Sequence, residues 1–235
     1  MAEILPPVIT IDGPGGSGKG TVGQRLAWKF RWEFLDSGAL YRLVGLSALN
    51  KSLDFNDVAV IVDLARHLDA QFAVQEGELG AEGIVLLEDK DVSSEIRREN
   101  CAQAASKIAQ IPEVRGALLE RQRAFRVAPG LVADGRDMGT VVFADAQLKI
   151  FLTASAEIRA QRRFKQLKNK TAGVSLSAIL AEIKERDDRD INRSVSPLVP
   201  AADAIILDTS DLSVDDVETQ ILQLAKNTFQ EGISS

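Results

Sequence analysis

The segment Gly13-Pro14-Gly15-Gly16-Ser17-Gly18-Lys19-Gly20-Thr21 gathers the residue types that hold a polyphosphate. Its glycines let backbone N–H groups converge on an anion, and a following helix adds the positive end of its dipole. Lys19 supplies a mobile charge where a β- or γ-phosphate would lie. A plain strand-to-helix turn needs glycine but has no use for that lysine, so the spacing favours a phosphate loop. Position 20 is glycine, and the hydroxyl that would face Mg2+ therefore comes from Thr21.

A bound triphosphate invites transfer of its terminal group. That reaction asks little covalent chemistry of a protein, which must align donor and acceptor and stabilise the migrating charge. Arginine suits the second task. Three stretches supply it: Asp36-Ser37-Gly38-Ala39-Leu40-Tyr41-Arg42, Asp134-Gly135-Arg136-Asp137, and Glu185-Arg186-Asp187-Asp188-Arg189-Asp190-Ile191-Asn192-Arg193. Asp134, after Leu131-Val132-Ala133, is placed like the carboxylate that helps hold Mg2+ beside a phosphate loop, or else it caps the turn at Gly135. In the third stretch Leu176, Ile179, Leu180 and Ile183 form an inward stripe at helical spacing, and the same face continues through Arg186, Asp190 and Arg193. The alternative there is a solvated helix end laced by i,i+4 ion pairs. Arg159, Arg162 and Arg163 read either as an exposed helix face or as a lid that closes on the triphosphate.

These groups need a scaffold. Val8-Ile9-Thr10-Ile11 is a short β-branched run feeding the glycine loop, with a helix expected from about Lys19 to Phe30. Further short apolar runs at Glu33–Leu35, Leu131–Ala133, Leu148–Leu152 and Ala204–Leu207 alternate with helical stretches. The pattern predicts an α/β fold, a parallel sheet flanked by helices with ligands at the carboxyl ends of the strands. Residues 70–92 break the rhythm with alternating apolar residues and glycines, which predicts a small antiparallel insertion. Its helical continuation takes in Ile96, Ile108 and Val114, with Pro112 opening a second helix that carries Arg115.

Composition narrows the class. With 45% hydrophobic and 26% charged residues, the 235-residue chain has the makings of one buried core plus an insertion. A formal net charge of −6 argues against a general nucleic-acid binder. The single cysteine, Cys101, and the single histidine, His67, leave no material for disulfides or zinc clusters and read as packing and helix-face residues. No leader-like start and no apolar run of about 18 residues is present, so a cytoplasmic protein without a membrane span is expected.

The Gly-Lys-Gly-Thr loop, Leu-Asp-Ser-Gly-Ala-Leu-Tyr-Arg at 35–42, Ala-Asp-Gly-Arg-Asp-Met-Gly-Thr-Val-Val-Phe at 133–143, and Glu-Arg-Asp-Asp-Arg-Asp with Pro-Leu-Val-Pro at 185–200 closely resemble the bacterial cytidylate kinases. The likeness runs from Val8 to about Leu222. Ala144 departs from the pattern, where proline is expected. The resemblance implies a nucleoside monophosphate kinase-like fold with core 1-65, 127-154 and 200-235, an NMP-binding insertion at about 66-126 and a helical lid at about 155-199. It implies ATP- and Mg2+-dependent phosphorylation of CMP and dCMP; a monomer is expected, though the residues themselves do not reveal the oligomeric state. Ser37, Tyr41, Arg42, Arg136 and Arg193 would surround the acceptor phosphate. Arg186 and Asp190 would meet the ribose hydroxyls, and Ser106, Arg115 and Asp137 would read the base. Lys19, Arg136, Arg163 and Arg193 would stabilise the transfer, Arg159 and Arg162 would serve ATP with the loop, and Thr21 and Asp134 would face the metal. Hydrogen-bond matching agrees, since a carboxylate accepts from the cytosine amino group whereas uracil presents an acceptor there. The rivals are a related kinase acting on another acceptor, which lacks the base-reading set, and an ATP-binding sensor, which needs no second phosphate pocket.

Overall fold

The computed structural model describes residues 5–77, 80–168 and 175–231. In chain order the elements are β1 (Val8–Asp12), α1 (Lys19–Phe30), β2 (Glu33–Asp36), α2 (Ser37–Asn50), α3 (Val58–Arg66), β3 (Ala70–Gly77), β4 (Gly80–Leu87) and β5 (Lys90–Asp91). There follow α4 (Glu99–Ile108), α5 (Pro112–Arg123), β6 (Leu131–Gly135), a π-helical turn (Met138–Val142), β7 (Leu148–Thr153), α6 (Ala156–Leu167), α7 (Leu176–Asn192), β8 (Ile205–Asp208) and α8 (Val214–Glu231). The expected α/β fold, with parallel strands flanked by helices and a small antiparallel sheet, is present. Among the described residues no helix is long and apolar enough to cross a membrane.

The chain divides into two compact units. The first comprises Met1–Val8 and Gln24–Asp134. In it β2 runs parallel to β6, in a register that sets Asp36 beside Asp134. The β2 end turns directly into α2, because the Asp36 carboxylate accepts from Ala39 N at 2.9 Å and caps the helix. One face of α2 lies so close to α4 that a Cβ on Gly45 would sit 3.0 Å from Ala104 Cβ. The predicted insertion is the antiparallel sheet β3-β4-β5, with Phe72 opposite Val85. Its helical continuation begins later than expected: Ile96 is buried in turns ahead of α4, while Pro112 does open α5.

The second unit comprises Ile9–Gly23 and Gly135–Ser235. Here β1 pairs in parallel with β7, Ile9 opposite Leu148, and β7 pairs in parallel with β8. Ile9, Ile11, Ile150 and Leu152 are almost wholly buried, as are Val217, Ile221 and Ala225 on α8. Burying such side chains contributes about 1.5–3 kcal/mol each, which fixes the strand ends that carry the loops. On α7 the predicted inward stripe holds at Ile179, but Leu176 is 41% exposed. That residue directly follows the Ser175 cap, at the helix's end.

Cys101 is buried, as expected. His67 is the exposed cap at the C-terminus of α3, its Nδ1 3.0 Å from Asp63 O one turn back on the helix.

Candidate active site

In the second unit, β1 delivers the chain into the glycine loop. Gly13 has φ +147°, and a Cβ there would lie 2.2 Å from the Leu152 carbonyl, so strand packing as well as backbone conformation demands glycine. Gly16 and Gly18 also have positive φ. Lys19 opens α1, is 7% exposed, and donates Nζ to Pro14 O at 3.2 Å, bending its ammonium back over the loop. The Ser17 hydroxyl is buried with no hydrogen-bond partner, an orphan polar group of the kind that marks a place for a ligand. Thr21 is exposed at the first turn of the helix.

The loop is braced from α6. Arg159, 4% exposed, gives Nε to Ala154 O and Nη1 to Gly15 O at 3.1 Å, while its Nη groups grip Asp187 on α7 at 3.0 and 2.5 Å. Arg162 donates to Ser17 O at 3.4 Å and to both the hydroxyl and the carbonyl of Thr209. The Thr209 hydroxyl itself bonds Ser17 O at 3.0 Å. Guanidinium and hydroxyl donors thus hold outward-facing carbonyls of the loop. Of the two readings left open for this helix face, solvent exposure fails for Arg159. Arg163 is half-buried one turn further on.

Above the loop the arginines of the second and third stretches converge. A Cβ on Gly15 would lie 3.5 Å from Arg136 Nη2 and 3.8 Å from Arg186 Nη1, so two guanidiniums approach the loop backbone closely. Asp190 sits among them. Its carboxylate meets Arg136 Nε at 2.8 Å and lies 4.0 Å from Arg193 Nη1, and Arg193 Nε donates to Ser196 O at 2.5 Å. Burial works against the Asp190 charge, but Arg136, Arg186 and Arg193 together hold its carboxyl below the usual carboxylate range. The solvated-helix-end reading gives way at Asp190, which is 9% exposed and paired with Arg136 from the segment after β6, but holds at Glu185 and Arg189, an i,i+4 ion pair at 3.5 Å. Asp137, 4% exposed, lies between Arg136 and the π-helical turn.

The first unit collects the remaining predicted residues. Ser37 and Tyr41 face one side of α2, both buried, and Arg42 donates to Ile96 O at 3.4 Å. Arg115 on α5 is 8% exposed; it donates to Ala109 O at 3.3 Å, and its guanidinium carbon is 5.6 Å from the Tyr41 ring centroid. Ser106 is buried on α4, and Asp134 is buried near the end of β6.

Sequence reading passed over three residues that the structure places in the loop's surroundings: Asp12, Asp187 and Thr209. Asp12, directly before the first loop glycine, carried a positional hint. The other two carried none.

Comparison with known proteins bears on the whole chain. The family model for cytidylate kinase matches residues 9–227. A cytidylate kinase of Klebsiella pneumoniae (strain 342) is 56% identical over 220 residues, covering 94% of this chain and 95% of its own. One from Pectobacterium atrosepticum is 53% identical over 223 residues, covering 95% and 97%, and one from Citrobacter koseri is 55% identical over 222 residues, covering 94% and 96%. A phosphate loop with arginines gathered over it, matched along nearly its full length by these relatives, places the chain in the cytidylate kinase family.

Proposed function

We propose that this enzyme transfers the terminal phosphoryl group of ATP to CMP and dCMP, giving the nucleoside diphosphates, and that the residues described above carry out the transfer. The observation that carries the reading is the approach of Arg136 and Arg186 to Gly15, with Asp190 between the guanidiniums: positive charge is held where a phosphoryl group would leave the loop.

In this reading the loop amides and Lys19 take the ATP phosphates, and the Ser17 hydroxyl finds its partner there. Arg136, Arg193 and Arg163 stabilise the charge on the migrating group, while Arg159 and Arg162 serve ATP by holding the loop. Ser37, Tyr41 and Arg42 join them on the acceptor phosphate, Arg186 and Asp190 take the ribose, and Ser106, Arg115 and Asp137 take the cytosine. Asp190 exchanges part of its pairing with Arg136 for the sugar when the nucleotide arrives. The helical segment about 155-199 acts as the lid, about 66-126 as the NMP-binding insertion, and the rest as the core; closure excludes water as a competing acceptor.

Thr21 and Asp134 suit Mg2+, since a hydroxyl and a carboxylate are hard oxygen donors. Among the described residues no group of three or more acidic, histidine or cysteine side chains forms a metal cage, which fits an ion that keeps water and phosphate oxygens as its other ligands. When bound, it would neutralise charge on the phosphates.

ADP release is measured with ATP and Mg2+ and with CMP, dCMP, UMP, AMP or shikimate as acceptor. Turnover is expected with CMP and dCMP above all others. No turnover with CMP above the acceptor-free rate refutes the proposal.

A further inference from the structure

Asp12 ends β1 immediately before the loop's first glycine and is 5% exposed. Its two oxygens are divided between two amides: Oδ1 accepts from Met138 N at 2.9 Å and Oδ2 from Gly139 N at 2.8 Å. Those are the first N–H groups of the π-helical turn, and the side chain of its cap residue Asp137 does not cap them. First-turn amides have no partner inside their own helix. A carboxylate from 126 residues earlier satisfies them instead.

The consequence lies just upstream, because Arg136 and Asp137 directly precede Met138. One side chain thereby ties the start of the phosphate loop to the segment that carries both residues, and Arg136 passes the constraint on to Asp190 at 2.8 Å. The π-helical geometry is itself of a kind found frequently at functional sites. The tie is costly. Burial pushes the Asp12 carboxyl up to about 6, against the pull of the Gly139 and Met138 amides, with Asp137 adding to the rise and Lys19 opposing it. Lys149, whose Cδ would lie 3.2 Å from a Cβ on Gly139, donates to Ala144 O and pairs with Asp203. A charge kept in the core at such a cost points to a role beyond packing.

We propose that Asp12 is a positioning residue for phosphoryl transfer, a clamp that holds Arg136 and Asp137 in register with the phosphate loop through the Met138 and Gly139 amides. The inference rests on reading Arg136 and Asp137 as acceptor-side residues of a CMP kinase.

Two substitutions reach the clamp from opposite ends. Asp12→Asn retains one acceptor and turns an NH2 group towards the second amide. Gly139→Ala leaves the Asp12 carboxylate in place but would set a Cβ 2.9 Å from Thr10 Oγ1, 3.2 Å from Lys149 Cδ and 3.4 Å from Asp12 Oδ2, a contact in which the turn or its neighbours must shift. Each is expected to lower kcat/KM for CMP by roughly ten- to a hundredfold, the scale of a small displacement of a catalytic group. ATP affinity in the absence of CMP, read by displacement of a fluorescent analogue, is expected to stay close to wild type, a split that general loosening of the loop would not give. The double variant is expected to be no worse than the poorer single one, as for two cuts in one connection. Wild-type turnover of CMP together with a kcat/KM for either folded variant within about twofold of wild type overturns the clamp alone. Additive losses in the double variant overturn it too. A wild-type enzyme with no CMP turnover refutes the reaction itself and the clamp with it.

Discussion

Replacing Asp190 by asparagine should expose how the arginine cluster is balanced. The carboxylate lies 2.8 Å from Arg136 Nε and 4.0 Å from Arg193 Nη1, with side-chain exposures of 12% for Asp190, 15% for Arg136 and 7% for Arg193. At an effective dielectric of about 20, unit charges about 4 Å apart attract by about 4 kcal/mol, and the acid meets more than one cation. Asparagine keeps an acceptor and relieves the burial of a charge, which offsets part of the loss; removing one partner of a buried pair costs about 3 kcal/mol at the lower end of its range. With a urea slope of about 3 kcal/mol per molar, the midpoint should fall by about 1 M at pH 7. Inorganic phosphate should recover more of this in the variant than in the wild type, because Arg136, Arg186 and Arg193 would then have lost the Asp190 charge as a counter-ion. The sign with pH follows from the depressed carboxyl: its contribution is complete above the unfolded value of 3.8 and fades as pH falls through the lower folded one. The wild-type advantage should therefore be flat from pH 8 to about 5 and shrink below about 4. Urea titrations followed by circular dichroism measure this. A midpoint within about 0.2 M of wild type, or an advantage that grows on acidification, would refute the reasoning.

Three further outcomes are expected. Lys19→Ala should lower kcat by at least about a hundredfold through lost phosphate stabilisation, and retention of most of the wild-type rate in the ADP-release assay would mean that the loop is only structural. Asp137→Ala should raise KM for CMP and narrow the gap between CMP and UMP; an unchanged ratio of their kcat/KM values would place base reading elsewhere. Asp12 titrates in the opposite sense to Asp190, because its carboxyl is raised to about 6 in the folded protein. The stability that it gives is full below the unfolded value of 3.8 and lost as pH rises through about 6. Between pH 7 and 5, wild type should gain roughly 1 kcal/mol relative to Asp12→Asn, and a flat or falling difference in paired urea titrations would contradict the burial effect.

The local parts of this enzyme could be read directly from its sequence. Glycines followed by Lys19 specify a phosphate loop because the backbone conformation and the charge are both encoded within nine adjacent residues. Short β-branched runs announced the parallel strands, alternating residues with glycines announced the antiparallel insertion, and Pro112 announced α5. The arginine stretches were visible too, and with the motifs around them they pointed to the family. Where those charges are spent was not visible. Arg159 sits on a helix whose pattern allowed an exposed face, yet it is buried against the carbonyl of a residue 144 positions earlier. Asp190 allowed an ordinary surface ion pair, yet its partner Arg136 comes from 54 positions upstream. Asp12 looked like the end of a strand, and it caps a helical turn 126 residues away. Such pairings follow from the register of β1 with β7 and from the packing of α6 and α7, in which one shifted residue would move a side chain to the other face. The residue types alone determined which chemistry the chain could perform. Only the packed core decided which charges neutralise one another and which two amides Asp12 holds, because those partners meet only when the whole unit has folded.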